Sequence, residues 1–189
     1  GGPKQRQVLA CLIAARSRTV RVDALAEDLW GDEPPTTAVH VISTYVSGLR
    51  KVLGDRITSD GGGHALVLRD GDVVDAWALE ESVDRARGLL DSDPAAALAL
   101  LPGRPSLGRP FGALADDSEL VRIEADRLEE VQLQAAQVRI AAELGLGRYD
   151  AVLPELRLLC DLHRYHEGLH ALRMLALYRA GRQVEALDT

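Results

Sequence analysis

Apolar residues recur along this chain at helical steps far more often than they alternate. Behind Pro3, which suits a first helical turn, Val8, Leu9, Leu12, Ile13 and Ala15 follow helical spacing. Ser17 and Arg18 end that helix, and Thr19-Val20-Arg21-Val22 reads as a short extended step. Asp23 stands where it can cap a second helix, Ala24 to Leu29, by accepting backbone N–H bonds. Gly31, Pro34 and Pro35 stop it. Thr36 or Thr37 then caps a third helix that runs to about Leu53, with Gly54 as its end. Ile57-Thr58 and Ala65-Leu66-Val67-Leu68 read as two short strands around the turn Asp60-Gly61-Gly62-Gly63. Three helices followed by a β-hairpin make a winged helix-turn-helix, a DNA-binding arrangement.

From Ala76 onward the pattern is helical, with segments at about 76–91, 94–101, 118–145, 149–161, 166–180 and 183–189. The stretch "PGRPSLGRPFG", residues 102–112, is a loop within this half. One repeat is visible. "LGRYDAVL" (146–153) resembles "AGRQVEAL" (180–187), and Gly147 and Gly181 are 34 residues apart, the period of tetratricopeptide helical hairpins. The expected fold is therefore mainly α. A winged helix-turn-helix domain at 1–75 precedes an all-α, tetratricopeptide-like domain at 76–189. The chain opens at Gly1 without Met and stops inside a helical run at Thr189, so it reads as a fragment whose second domain is truncated.

The third helix has two faces. At roughly 100° per residue, Ala38, Ile42, Tyr45, Val46, Leu49 and Leu53 share one sector and make a core face. His40, Thr44, Ser47 and Lys51 cluster opposite, flanked by Ser43 and Arg50. That second face holds hydroxyls, an imidazole and two cations, and no acid. Such groups bond base edges and phosphates, and the small ones let a helix sit deep in a major groove. Arg50, Lys51 and Arg56 are the expected phosphate contacts. The competing reading is an ordinary solvated face. Gly48 costs about 1 kcal/mol in a helix relative to Ala; it either admits a close approach of backbone or DNA or has no consequence.

The chain carries a net charge of −7, which excludes a generic polyanion binder. The charge is uneven, however. Residues 1–69 hold nine Lys/Arg against seven Asp/Glu, whereas residues 70–189 hold thirteen against twenty-two. This asymmetry suggests two domains with different partners. Cys11 and Cys160 each lie in an apolar helical pattern and read as buried free thiols, which fits a reducing cytoplasm. No stretch approaches the ~20 apolar residues of a membrane span, and no signal peptide is visible.

The segments "GGPKQRQVLACLI", "VDALAEDLWGDEPP", "ISTYVSGLRKVLG" and "MLALYRAGRQVEAL" occur in the order found in the actinobacterial antibiotic-regulatory activators of the SARP type, and the chain resembles that family over almost its whole length. The resemblance implies an OmpR-like winged helix joined to a bacterial transcriptional activation domain of tetratricopeptide-like helices. It implies a cytoplasmic, sequence-specific activator, not an enzyme, that binds promoter direct repeats in two or more copies and contacts RNA polymerase. No cofactor is implied. Three departures stand out. The family's strands before "GGPKQR" are missing, as is its Trp-Arg-Gly segment before the long helix, where "PGRPSLGRPFGALAD" stands instead. The family's wing reads Gly-Tyr-x-Leu; here it is Gly63-His64-Ala65-Leu66, which puts His64 where the wing would contact a minor groove.

Two other function classes have a foothold. A tetratricopeptide-type scaffold with a degenerate, protein-binding winged helix would show the same helices. A zinc hydrolase would use "HEGLH", residues 166–170, which fits H-E-x-x-H. His166 and His170 would bind the metal and Glu167 would activate its water, with His163 or a carboxylate as third ligand. No His follows His170, and the motif stands at a helix start rather than a helix centre. "DGGGHA" lacks the Lys-Ser/Thr of a phosphate loop and reads as a hairpin turn. Ser17, Ser59 and Ser106 sit in no nucleophile-elbow context. The acidic stretch 116–130 reads as a solvated helix face, Trp30 as a core anchor between the second and third helices, and Met174, Leu175, Leu177 and Tyr178 as parts of a packed repeat helix.

Overall fold

The computed structural model describes residues 2–101, 103 and 108–189; Ser106 and residues 102, 104, 105 and 107 of the Pro/Gly-rich loop lie outside the described residues. In order, the elements are α1 (Pro3–Ala14), β1 (Val20–Arg21), α2 (Val22–Trp30), α3 (Ala38–Leu53), β2 (Ile57–Asp60), β3 (Gly63–Leu66), α4 (Asp75–Leu89), α5 (Pro94–Leu100), α6 (Glu119–Gly145), α7 (Tyr149–Leu162), α8 (Glu167–Arg179) and α9 (Gln183–Leu187). Single 3-10 turns lie at Gly54–Arg56 and Gly112–Ala115. The chain forms two compact units: Gly1–Val73 with Gly108–Glu129, and Val74–Leu107 with Glu130–Thr189. The second segment of the first unit lies well past residue 75, where the sequence pattern alone divides the chain.

In the first unit, Val8, Cys11 and Leu12 of α1, Leu25 of α2, and Ile42 and Val46 of α3 form one apolar core. Helix α2 starts at Val22, two residues before the sequence pattern places it, because the chain passes from β1 into the helix without a break. Asp23 therefore lies inside the first turn, where it accepts from the Ala24 N–H at 2.9 Å and from the Arg21 guanidinium. Thr37 holds the N-cap position of α3 but makes no side-chain cap bond. Gly31 and Gly54 end α2 and α3 at φ of +67° and +64°, a conformation that excludes most side chains. Trp30 is half-buried at the edge of the core rather than anchored within it, with the Lys4 ammonium 4.5 Å above its ring.

The extended step predicted near Val20 becomes a full partner in a sheet. β1 and β2 flank β3, all antiparallel, with Val20 opposite His64 and Ile57 opposite Leu66. Gly61 and Gly62 supply the positive φ of the turn. Gly63 serves another need: a Cβ there would stand 2.5 Å from the Val20 carbonyl oxygen and 2.6 Å from Thr19 Cγ2.

Segment Gly108–Glu129 completes this core with Ala115, Val121 and Ala125. Gln7 donates to the Leu114 carbonyl at 3.2 Å. Ser118, buried ahead of α6, accepts from the Val121 N–H and donates to Asp28 of α2. Asp28 also accepts from the Cys11 thiol at 3.0 Å. Burial first, and the Asp28 carboxylate second, push that thiol well above its usual range, so it stays protonated. The acidic stretch 116–130 is thus not wholly a solvated face. Glu124 is buried, paired with Arg127 at 2.7 Å and 4.0 Å from Arg16, and burial raises its pKa against the pull of Arg16 and Arg18.

The second unit has two apolar clusters. Val83 and Ala86 of α4 meet Ala97 of α5 and Val138 and Ala142 of α6. Ile140 and Leu144 of α6 meet Leu156 and Cys160 of α7 and Leu169 and Leu177 of α8. Both cysteines are free and buried, one in each unit. Arg139 and Glu155 add a largely buried ion pair between α6 and α7. The 34-residue repeat is physical. Gly147 and Gly181 sit at φ of +77° and +78°, and behind them Arg148 N–H bonds the Glu143 carbonyl and Arg182 N–H the Leu177 carbonyl. Each is the same left-handed helix stop. On α8 only part of the expected packing is present: Leu177 is buried, but Met174 and Leu175 are 43% exposed and Tyr178 60%. Ile140 and Leu144, one period earlier, are covered by the following hairpin; no described residue covers the α8 stripe in that way. No helix among the described residues is long and apolar enough to cross a membrane.

Two substitutions test this packing. Ile42→Ala, at a fully buried site, is expected to destabilise by about 2–5 kcal/mol, read from the urea midpoint; a parental midpoint would place Ile42 outside the core. Gly63→Ala forces β1 and β3 apart and is expected to cost about 1–3 kcal/mol as overpacking, with faster amide exchange at Val22, which bonds the Gly62 carbonyl. Unchanged exchange there would show that the strands do not meet at Gly63.

Candidate nucleic-acid interface

Helix α3 buries Ala38, Ile42, Val46 and Leu49, while Tyr45 and Leu53 are half-buried. Its other side is open. His40, Ser43, Thr44, Ser47 and Lys51 are all exposed, and no carboxylate stands among them. Ser43 donates to the Val39 carbonyl at 2.9 Å and Thr44 to the His40 carbonyl at 3.0 Å. Each hydroxyl spends its proton one turn back and leaves its oxygen free to accept. Ser43, Thr44, Ser47 and Lys51 line an open groove together with Gln5 of α1. Lys51, in the last turn of α3, has no ion-pair partner among the described residues.

The two arginines expected at phosphates have internal duties. Arg50 Nε donates to the Ile57 carbonyl at 2.8 Å, and its Nη2 donates to Ser59 Oγ at 2.7 Å. Ser59 Oγ is in turn 2.9 Å from His64 Nδ1. The chain Arg50–Ser59–His64 thus ties α3 to both strands of the β2–β3 hairpin. Burial, and then the nearby Arg50 charge, lower the His64 pKa, so its ring is neutral at pH 7. Arg56 makes a two-pronged pair with Asp72, both distances 2.7 Å. The Arg56 hydrogen bonds, with the Arg69 N–H, hold the Asp72 carboxyl below its usual range. Arg56 therefore fastens the segment after the hairpin and is not a free cation.

Sequence reasoning missed two residues of this face. Val39 is 63% exposed one position ahead of His40. An apolar residue outside the core sector of an amphipathic helix was the available signal, and a thymine methyl is its natural counterpart. Gln5 carried no local signal, because only the fold brings α1 beside the groove.

The H-E-x-x-H motif does not assemble a metal site. His166 stands at the N-cap of α8, its Nε2 3.2 Å from Gln137 Nε2. His170 Nε2 turns instead to the Arg164 carbonyl at 3.0 Å. No group of three His, Cys, Asp or Glu side chains suited to a metal occurs among the described residues.

Comparison with known proteins agrees with this architecture. The family model for the C-terminal domain of transcriptional regulatory proteins matches residues 1–62, and that for the bacterial transcriptional activator domain matches residues 74–189. The chain is 35% identical to regulatory protein AfsR of Streptomyces griseus over 99% of its own length and 19% of that protein. It is 35% identical to regulatory protein DnrI of Streptomyces peucetius over 98% of its length and 73% of that protein. The structure of Mycobacterium tuberculosis EmbR in complex with a low affinity phosphopeptide is similar across the whole chain, with TM-score 0.80, 32% identity and 52% of that chain covered. The chain thus spans about a fifth of AfsR, half of EmbR and nearly three quarters of DnrI. A winged helix with an open, acid-free third helix, followed by helical hairpins and matched by both family models, places this chain in the SARP-type family of bacterial transcriptional regulators.

Proposed function

We propose that this chain is the DNA-reading and activating part of a cytoplasmic transcriptional activator. It lays α3 in the major groove of promoter DNA, with the β2–β3 hairpin as a wing at the flanking minor groove. The observation that carries this reading is the solvent-open side of α3, where His40, Ser43, Thr44, Ser47 and Lys51 stand clear of any carboxylate. In such a docking Thr44 and Ser47 reach base edges, Val39 meets a thymine methyl and Lys51 meets a phosphate. Arg50 acts at one remove, by holding the hairpin in register with α3. The net negative charge is no obstacle, because only the local surface meets the duplex. Family membership supports the remaining partners: RNA polymerase contacted through the helical hairpins, and a second copy on direct repeats.

Selection of bound duplexes from random DNA tests the reading, followed by titration across salt. The parent is expected to bind a defined sequence with an affinity that falls steeply as salt rises. Lys51→Ala should weaken binding to all sequences and reduce the log–log salt slope by about one. Thr44→Ala and Ser47→Ala should instead relax the preferred sequence, at about 1–3 kcal/mol of discrimination per lost base contact. Arg50→Ala should weaken binding while amide exchange in β2 and β3 quickens. A parent that selects no duplex, or four variants that all bind as the parent does, would remove α3 as the reading element.

A further inference from the structure

Gly48 lies mid-helix on α3, beside Ser47 and at the groove, and its missing side chain is occupied space. A Cβ there would stand 2.3 Å from Nε2 of Gln5. That amide comes from α1, crosses to α3 and donates to the Tyr45 carbonyl at 3.2 Å. It lines the same groove as Ser43, Thr44, Ser47 and Lys51. The glycine that weakens the helix thus makes room for a polar group delivered from a neighbouring element.

We propose that Gln5 is a further DNA-contacting residue of this protein, a neutral phosphate ligand placed by Gly48. The inference rests on α3 being the reading helix. One amide N–H is engaged on the Tyr45 carbonyl, and the other N–H and Oε1 remain for a ligand. Thr44 and Ser47 occupy the centre of the face; Gln5, coming from α1, stands at its border. The border of an occupied major groove is a phosphate strand, and Gln is among the side chains that bond phosphate oxygens. Being uncharged, Gln5 displaces no counterion, which gives its contact a signature different from that of Lys51.

The test uses the whole chain and the duplex obtained by random selection. Gln5→Met keeps length and packing but loses both amide groups. It is expected to bind about tenfold more weakly, as for one lost hydrogen bond to a charged group, with salt slope, base preference and melting temperature at parental values. Gln5→Glu sets a carboxylate against the phosphate and should lose about a hundredfold or more. Gly48→Ala should match Gln5→Met, and combining the two should weaken binding no further, because both act through one amide. Parental affinity in Gln5→Met and Gln5→Glu, while Lys51→Ala still weakens binding, overturns the Gln5 contact and leaves the α3 reading intact. A loss that tracks a lowered melting temperature also overturns it, by making Gln5 a packing residue. A parent that binds no duplex overturns the α3 reading itself.

Discussion

Thr44 and Ser47 can stand in water only because Ile42 and Val46, on the same helix, are wholly withdrawn from it. That division of α3 is the constraint on which the first unit is built. Burying each aliphatic side chain contributes about 1.5–3 kcal/mol, and the surface that receives them is made by Val8, Cys11 and Leu12 of α1 and Leu25 of α2. A helix of small polar residues has little to hold it in place on its outer side. Its orientation is instead set from behind by packing and from the flank by Arg50, which joins its last turn to β2. The outer hydroxyls are thereby free of structural work.

A second device joins α1, α2 and the segment ahead of α6. A carboxylate withdrawn from water is costly unless its oxygens are bonded. Half-buried Asp28 has both oxygens bonded, one by the Cys11 thiol and the other by the Ser118 hydroxyl. Those donors lie on α1 and ahead of α6, so this one acid links α2 both to α1 and to a segment ninety residues away. Ala115, Val121 and Ala125 then join the same apolar core as α1 and α2. Polar specificity and apolar filling point to the same docking, which is the consistency expected of a defined interior.

Much of this was legible from the residues in order. Helix α7 extends from Tyr149 to Leu162 where the pattern marked 149–161, and the stops at Gly147 and Gly181 lie at the visible repeat. These features are local: a period, a cap, a glycine. The core and outer sectors of α3 were legible for the same reason. What escaped notice depends on partners distant in sequence. The extended step at Val20 gave no hint of its pairing with His64. Arg50 and Arg56 looked like free cations until Ile57, Ser59 and Asp72 were placed beside them. Gln5 sits in an unremarkable first turn. The two histidines of "HEGLH" share a motif but not a direction, since a motif states spacing and not the way each ring turns.

The discontinuity of the first unit has an evolutionary consequence. Suppose the N-terminal module, residues 1–73, passed to a relative as one contiguous stretch. Here such an exchange would carry Cys11 and Asp28 to a new host without Ser118, and Leu12 without Ala115, Val121 and Ala125. The transplanted module would meet another protein's filler. Recombination at the boundary between the two family matches therefore preserves a sound interior only when residues 108–129 of the two parents are interchangeable, so target specificity and this internal segment are expected to diversify together.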